Sequence, residues 1–342
     1  MSNSRRTTLL ISLLVALHLP VILAGFFAPY DYALQDRDLP FAPPSRLHFV
    51  DQTGAFHLRP FVYAWKQSPL GDAYEEDQTR MFNLRLFVTG APYAAVGVWT
   101  SRLHLFGVEA PARVFVFGTD GFGRDEFSRA LYGGRISLLA GFLGAAVALL
   151  AGGALGIVAG YYGKWLDTVV MRLVELFLAL PWLYLLFAVR AVLPLRIKTT
   201  DAFLLFIGVV GLVGWARPAR LVRGLVLSAK ERNFVLAARA MGASELHILR
   251  WHVLPQTYRT ILTMAALLVP QFILAEVTLS FLGLGVGEPI PSWGNLLTEL
   301  QKYNVLVSYW WMYLPAVMLV VLFLAYYWAS ETLEERFATV SS

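Results

Sequence analysis

From Ser137 to Gly160 this 342-residue chain runs 24 residues without a charged side chain. Wound as an α-helix, such a run is about 36 Å long and exceeds the roughly 30 Å of a bilayer's hydrocarbon core. Lipid offers no partner to backbone N–H and C=O groups, so a segment that enters it must satisfy them internally, as a helix does. A chain with one such span is a membrane protein, and every other segment must cross again or stay on one side.

Five further apolar stretches predict crossings: Leu9–Ala28, Val169–Leu193 with Pro181 inside, the shorter Ala202–Ala216, Ile261–Leu284 interrupted by Pro270, and Val305–Ala329 interrupted by Pro315. Internal prolines are tolerated where neighbouring helices satisfy the freed carbonyls. Composition agrees, since 57% of residues are apolar and 15% charged, against about 45–50% and about 25% in soluble domains. The first stretch follows Arg5 and Arg6, and Ala24 and Gly25 are small enough for a signal-peptide cleavage site. Its length exceeds the usual apolar core of about 7–15 residues, which favours an uncleaved anchor. The absence of cysteine excludes disulfide frameworks, cysteine zinc sites and thiolate chemistry.

Six spans place both termini on one side. Between the fourth and fifth lie Arg217, Arg220, Arg223, Lys230, Arg232, Arg239, Arg250 and Arg259, opposed only by Glu231 and Glu245. The bias of Lys and Arg toward the cytoplasm puts this loop, both termini and the Gly163–Lys164 turn inside. Arg124, Arg129, Arg135, Arg196 and Lys198 run against it. The formal charge of +5 thus reads as cytoplasmic retention, and no nucleic-acid partner is expected.

Three parts follow: residues 1–28, a tail and first span; 29–117, an extracytoplasmic segment; and 118–342, a core of five spans with a cytoplasmic loop at 217–259. The external segment is too polar and proline-broken to cross. Arg46–Leu58 reads as strand, turn and strand around Asp51-Gln52-Thr53-Gly54, with further short apolar runs at Leu84–Val88 and Val114–Phe117. It suits either a docking surface for another protein or a loop packed over helix ends. The expected fold class is an all-α membrane protein with six transmembrane helices and a small, partly β external insertion.

The most informative stretch is Asn233 to Ser244. Its Ala, Leu, Arg and Met residues predict a helix over Ala229–Met241, ended by Gly242 in a left-handed conformation. Ser244 then caps a second helix from Glu245 to about Val253, stopping before Pro255. Phe234, Val235, Ala238 and Met241 form a small apolar patch that another surface can cover. A basic amphipathic loop on anionic lipid would also fit these residues.

Leu236-Ala237-Ala238, then three residues, then Gly242, then His252-Val253-Leu254-Pro255 resembles the EAA loop of ATP-binding-cassette (ABC) importer permeases. Three further blocks resemble the oligopeptide and dipeptide permeases of that family: Gly118–Leu138, with Asp120, Arg124, Asp125, Ser128 and Arg129; Gly160–Gly163 with Asp167–Arg172; and Leu279–Gly285 with Pro291–Asn295. Four blocks in order are far more specific than the loop alone. There are departures: Leu236 stands where the family usually has Glu, Gln256 replaces a common Asn, Glu175 a common Asp, and the tail lacks the usual Asn and Asp.

The resemblance implies a type I ABC importer permease fold in the inner membrane of a prokaryote. It implies as partners a second homologous permease, two ABC ATPase subunits and an extracytoplasmic substrate-binding protein. Phe234, Leu236, Ala237, Ala238, Arg239, Met241, Gly242, Ala243, His252 and Pro255 would form the ATPase-coupling loop. Peptides are the implied cargo, with nickel chelates, glutathione or sugars as alternatives within the class, and a scaffold or channel without ATPases as the alternative outside it. ATP and Mg²⁺ would be bound by the partner ATPases and no cofactor by this chain: at its one Gly-Lys pair, Gly163-Lys164, Val158 replaces the first P-loop glycine and Trp165 the Mg²⁺-binding hydroxyl, and no HExxH occurs.

Glu276 lies inside a predicted span, where a carboxylate is costly and usually functional. With Ser280, Phe281 and Trp293 it makes the candidate pathway or gate, although Glu276 also suits a helix end or an arginine partner, and Trp293 an interfacial anchor. Gly152, Gly156 and Gly160 form a small-residue stripe for close helix packing, within the chain or against a partner subunit.

Overall fold

The computed structural model describes residues 3–339 apart from 69–72, 96–98, 182–183, 186, 189–190, 192–198 and 284. Among them five helices are long and apolar enough to cross a membrane: Arg5–Ile22, Glu126–Tyr162, Phe203–Lys230, Glu245–Phe281 and Trp310–Glu335. The expected span Val169–Leu193 is helical over Lys164–Ala179 and extended at Leu180, and much of its remainder, with Arg196 and Lys198, lies outside the described residues. The expected Val305–Ala329 span is present as Trp310–Glu335, and its start is corrected. A short helix, Tyr303–Ser308, and a 3₁₀ turn, Trp310–Tyr313, precede a helix that begins at Leu314. Pro315 therefore sits in a first turn, where its missing N–H leaves no bond unmade.

The chain divides into two compact units. One comprises Met1–Leu10, Leu138–Glu276 and Phe323–Ser342. It contains most of helix α3 (Glu126–Tyr162), α4 (Lys164–Ala179), α5 (Thr199–Gly214), α6 (Ala216–Lys230), α7 (Asn233–Ala240), α8 (Glu245–Ile248) and most of α9 (Leu254–Phe281). The glycine stripe packs inside the chain. Gly152 lies against the Trp215 carbonyl and Pro218, Gly156 against Ala219 and Val222, and Gly160 against the Arg223 carbonyl and Val226, so a side chain at any of the three would collide with α6. Asp167 of α4 accepts from Arg223 Nε at 2.9 Å and Nη2 at 2.6 Å, and Lys230 Nζ donates to the Gly160 carbonyl. Arg6 pairs with Glu331 and Glu335, joining the first and last helical segments of this unit.

The second unit comprises Ile11–Ser137 and Val277–Leu322. Helix α1 (Asn3–Ile22) leads into the short α2 (Ala24–Phe27) and then the insertion. Strands β1 (His48–Val50), β2 (Phe56–Gln67) and β3 (Tyr74–Asn83) form an antiparallel sheet, and β4 (Arg85–Ala95) and β5 (Trp99–Gly107) a long hairpin. The β1–β2 turn is the one expected. Asp51 Oδ1 accepts from the Thr53 and Ala55 amides, and Gly54 has φ +83°. Leu84–Val88 lies mostly in β4, whereas Val114–Phe117 is not a strand; Val114 and Phe115 are buried, with Val114 packed beside Val62, Phe82 and Ala112. β3 and β5 escape prediction because Glu75, Glu76, Asp77, Arg80 and Arg102 interrupt their alternation.

Candidate functional site

The bent element following α6 differs from the expected single helix over Ala229–Met241. The chain breaks at Glu231–Arg232, where Arg232 takes extended geometry before α7. In an unbroken helix Val235 would sit about 120° round from Ala229, at roughly 100° per residue. The break lets Val235 and Ala238 share one core with Val222, Val226 and Ala229 and with Tyr161, Ile248 and Val253. At the end of α7 the Ala243 amide donates to the Ala238 carbonyl and the Gly242 amide to that of Arg239. This Schellman pair requires a left-handed residue, and Gly242 has φ +81°. Ser244 caps α8 by accepting from the His247 amide.

The second helix does not stop before Pro255. A π-helical turn, Leu249–Val253, carries it into α9. The wider turn bonds the Leu254 amide to the Leu249 carbonyl, five residues back. It accommodates a proline that would clash in a tight α-helical ladder.

The expected four-residue patch splits. Val235 and Ala238 are spent on the internal core, whereas Phe234, Leu236 and Met241 are 40%, 48% and 82% exposed, with Leu246 of α8 also exposed. Ala237, Arg239, Gly242 and Pro255 are exposed as well, Ala243 and His252 half-buried. The Phe234 and His252 rings lie 6.0 Å apart, and those of His247 and His252 5.8 Å apart. An apolar face beside arginines, on short helices held rigidly from behind, is a surface made to be covered.

Of the four pathway candidates, Glu276 belongs to the first unit and Ser280, Phe281 and Trp293 to the second. Glu276 is buried near the end of α9. Ser280 is buried, its Oγ accepting from the Val286 amide, and the half-buried Phe281 offers its carbonyl to Gln301. Trp293 opens helix α10 (Trp293–Thr298) and is 1% exposed. Its indole N–H donates to the Ala130 carbonyl at 2.9 Å, so it is a core residue with no face for a gate or a membrane interface. In the first unit a cavity of about 90 Å³ is lined by Phe177, Leu180, Val210, Arg217, Gln271 and Phe272. Gln271, a polar residue beside Pro270 in a predicted span, was the available sequence signal for it.

A second constellation lies in the other unit. Asp120 Oδ2 accepts from Arg124 Nε at 2.7 Å, and Glu288 accepts from Arg124 Nη1 at 2.7 Å and Arg129 Nη2 at 2.8 Å. Arg129 also donates to the Tyr32 carbonyl. Arg135 donates to the carbonyls of Val21 and Ile22. Arg124, Arg129 and Arg135, which run against the charge bias, are thus each engaged within this unit. Partial burial pushes the Glu288 carboxyl up, but the two guanidiniums outweigh it and hold it below its ordinary range. Burial raises the Asp125 carboxyl to about 7, against two hydrogen bonds from Ser128 that lower it. Glu288 was not anticipated as the partner, because 159 residues separate it from Arg129.

Residues 152–339 match the family described as binding-protein-dependent transport system inner membrane component. The dipeptide transport system permease protein DppC of Alkalihalophilus pseudofirmus is 37% identical over 217 residues, covering 63% of this chain and 69% of the relative. The oligopeptide transport system permease protein OppC of Haemophilus influenzae is 38% identical over 203 residues, covering 59% and 63%. The glutathione transport system permease protein GsiD of Pectobacterium atrosepticum is 36% identical over 203 residues, covering 59% and 65%. Among solved structures, an amino acid ABC transporter with histidines aligns with 61% of this chain and 94% of its own at TM-score 0.45 and 17% identity. The apolar spans, the EAA-like hinge and the match over 152–339 agree: the chain belongs to the binding-protein-dependent transport system inner membrane component family and is a permease subunit of an ABC importer.

Proposed function

We propose that this permease moves di- and oligopeptides inward, using ATP bound with Mg²⁺ and hydrolysed by two partner ATPase subunits. A second, homologous permease completes the transmembrane part, and an extracytoplasmic binding protein delivers the peptide. The termini and the α6–α9 hinge face the cytoplasm, residues 29–117 face outward, and residues 118–342 form the permease core. The observation that carries this reading is the exposed Phe234, Leu236, Met241 and Leu246 face beside the left-handed Gly242. The names of the relatives support peptides as cargo.

The coupling follows from thermodynamics. Nucleotide biases the spans between inward- and outward-open states only if the hinge contacts the ATPase differently in the two. α7 is tied through Val235 and Ala238 to the core that holds α6 and the end of α3, so a push on its exposed face is transmitted to spans. The test is ATP-driven uptake by the reconstituted complex, comparing labelled di- and oligopeptides with glutathione, nickel chelates and sugars. Peptides are expected to accumulate. Accumulation of only a non-peptide ligand would refute the cargo, and uptake indifferent to ATP would refute the coupling.

A further inference from the structure

We infer that the β4–β5 hairpin folds back to the membrane and seats Tyr93, Ala94 and Trp99 at the lipid interface on the side that carries the insertion. Contacts along the hairpin give its direction. Near its base, the Phe106 ring lies 6.3 Å from Phe127 in the first turn of α3. Two residues nearer the tip, His104 Nδ1 bonds the Ala28 carbonyl at 2.7 Å. Nearer still, Tyr93, paired with Ser101, covers Gly25 so closely that a Cβ there would collide with its ring. From base to tip the hairpin therefore descends alongside α2 toward Ile22, where α1 ends. At that level Arg135 holds the Val21 and Ile22 carbonyls, and it is the last charged residue before the uncharged run of α3.

Two further ladder pairs, Ala94–Thr100 and Ala95–Trp99, carry the strands about 7 Å beyond Tyr93, at roughly 3.3 Å per residue. Residues 90–99 read Gly-Ala-Pro-Tyr-Ala-Ala-Val-Gly-Val-Trp, without a charge. Trp99 is 77% exposed, and α1 presents Ile11, Val15, Leu19 and Ile22 outward, so both carry apolar surface open to lipid. Trp belongs at the boundary between headgroups and acyl chains. The open strand edges keep the hairpin from going deeper, because unpaired backbone groups are not tolerated in hydrocarbon. Exposed Arg102, three residues from Trp99, is placed to reach lipid phosphates while its stem lies along apolar surface.

Because the chain has no cysteine, a single introduced cysteine can be labelled on the isolated chain before the complex is assembled. Trp99→Cys and, on the exposed face of β2, Leu58→Cys would carry a nitroxide in the complete transporter, reconstituted in phosphatidylethanolamine and phosphatidylglycerol vesicles. At 99 we expect collisions with oxygen to dominate over those with a water-soluble nickel chelate, and at 58 the reverse. Ala94→Cys, exposed and opposite Thr100, repeats the measurement should loss of the indole disturb folding. Equal nickel access at 58 and at both tip positions overturns the inference. So does protection at the tip that arises only on adding the binding protein, which would make the hairpin a protein-docking site.

Discussion

The hinge at α6–α9 and the ionic constellation around Arg124 and Arg129 solve opposite problems. In the constellation the buried Asp120, Arg124 and Arg129 are paired, and the half-exposed Glu288 holds a loop from distant sequence against the two arginines. In the hinge the charges stand in solvent while apolar side chains are left uncovered at Phe234, Leu236 and Met241. The first spends its polar groups internally and reads as a fastening. The second withholds apolar area from the core and reads as a contact awaiting a partner. Each should therefore fail differently when broken.

The largest effect is expected on the fastening. Arg129→Ala removes one of the two guanidiniums on the half-exposed Glu288 and leaves Asp120 with Arg124. The loss should therefore exceed the ~1 kcal/mol of a surface pair and fall short of the roughly 3–5 kcal/mol of a fully buried one. Thermal unfolding and yield of the detergent-solubilised chain should both fall. Arg172→Ala, which breaks the exposed pair with Glu175, is the control, costing no more than about 1 kcal/mol. Equal losses from the two would mean that the buried cluster is not structural.

At the hinge, Gly242→Val meets no neighbour, since nothing lies within 4 Å of a Cβ there, so its cost is purely conformational. A left-handed φ costs an L-residue about 1–2 kcal/mol. We expect assembly to survive and ATP hydrolysis to uncouple from uptake; normal transport by this variant would remove Gly242 from the mechanism. Met241→Asp alters a residue without an internal role. Its thermal stability should match the parent, while ATPase retention on purification drops about tenfold, equivalent to about 1.4 kcal/mol. A fall in stability without loss of the ATPase would reverse that assignment.

The smallest effect concerns pH. Asp125 binds its proton more tightly folded, at about 7, than unfolded, near the ordinary carboxylate value. Its contribution to stability is complete below about pH 4 and is lost as pH rises through about 7. Melting temperature should decline between pH 5 and 8, and Asp125→Asn, which retains an acceptor for Ser128, should flatten that decline. An unchanged slope in the variant would place the titration elsewhere.

Much was legible in the residues because it depends on near neighbours. Gly242 ends α7, Ser244 caps α8 and Asp51–Gly54 turns β1 into β2, each within six residues and each as expected. The span at Ser137–Gly160 needed only its lack of charge. What escaped depends on distant partners. The break at Glu231–Arg232 exists because Val235 joins a core built by α3 and α6. Trp293 reads as an interfacial anchor or gate until the Ala130 carbonyl is placed beside it.

The sequence by itself determined that this chain enters a membrane and that a helix ended by Gly242 is followed by one capped by Ser244, because lipid and the local backbone impose those constraints on contiguous residues. Tertiary structure alone decided which apolar residues of the hinge are free, that the glycine stripe packs on α6 and that Glu288 answers Arg124 and Arg129. Burial and ion pairing are properties of residues brought together from far apart, and no local pattern encodes which of them meet.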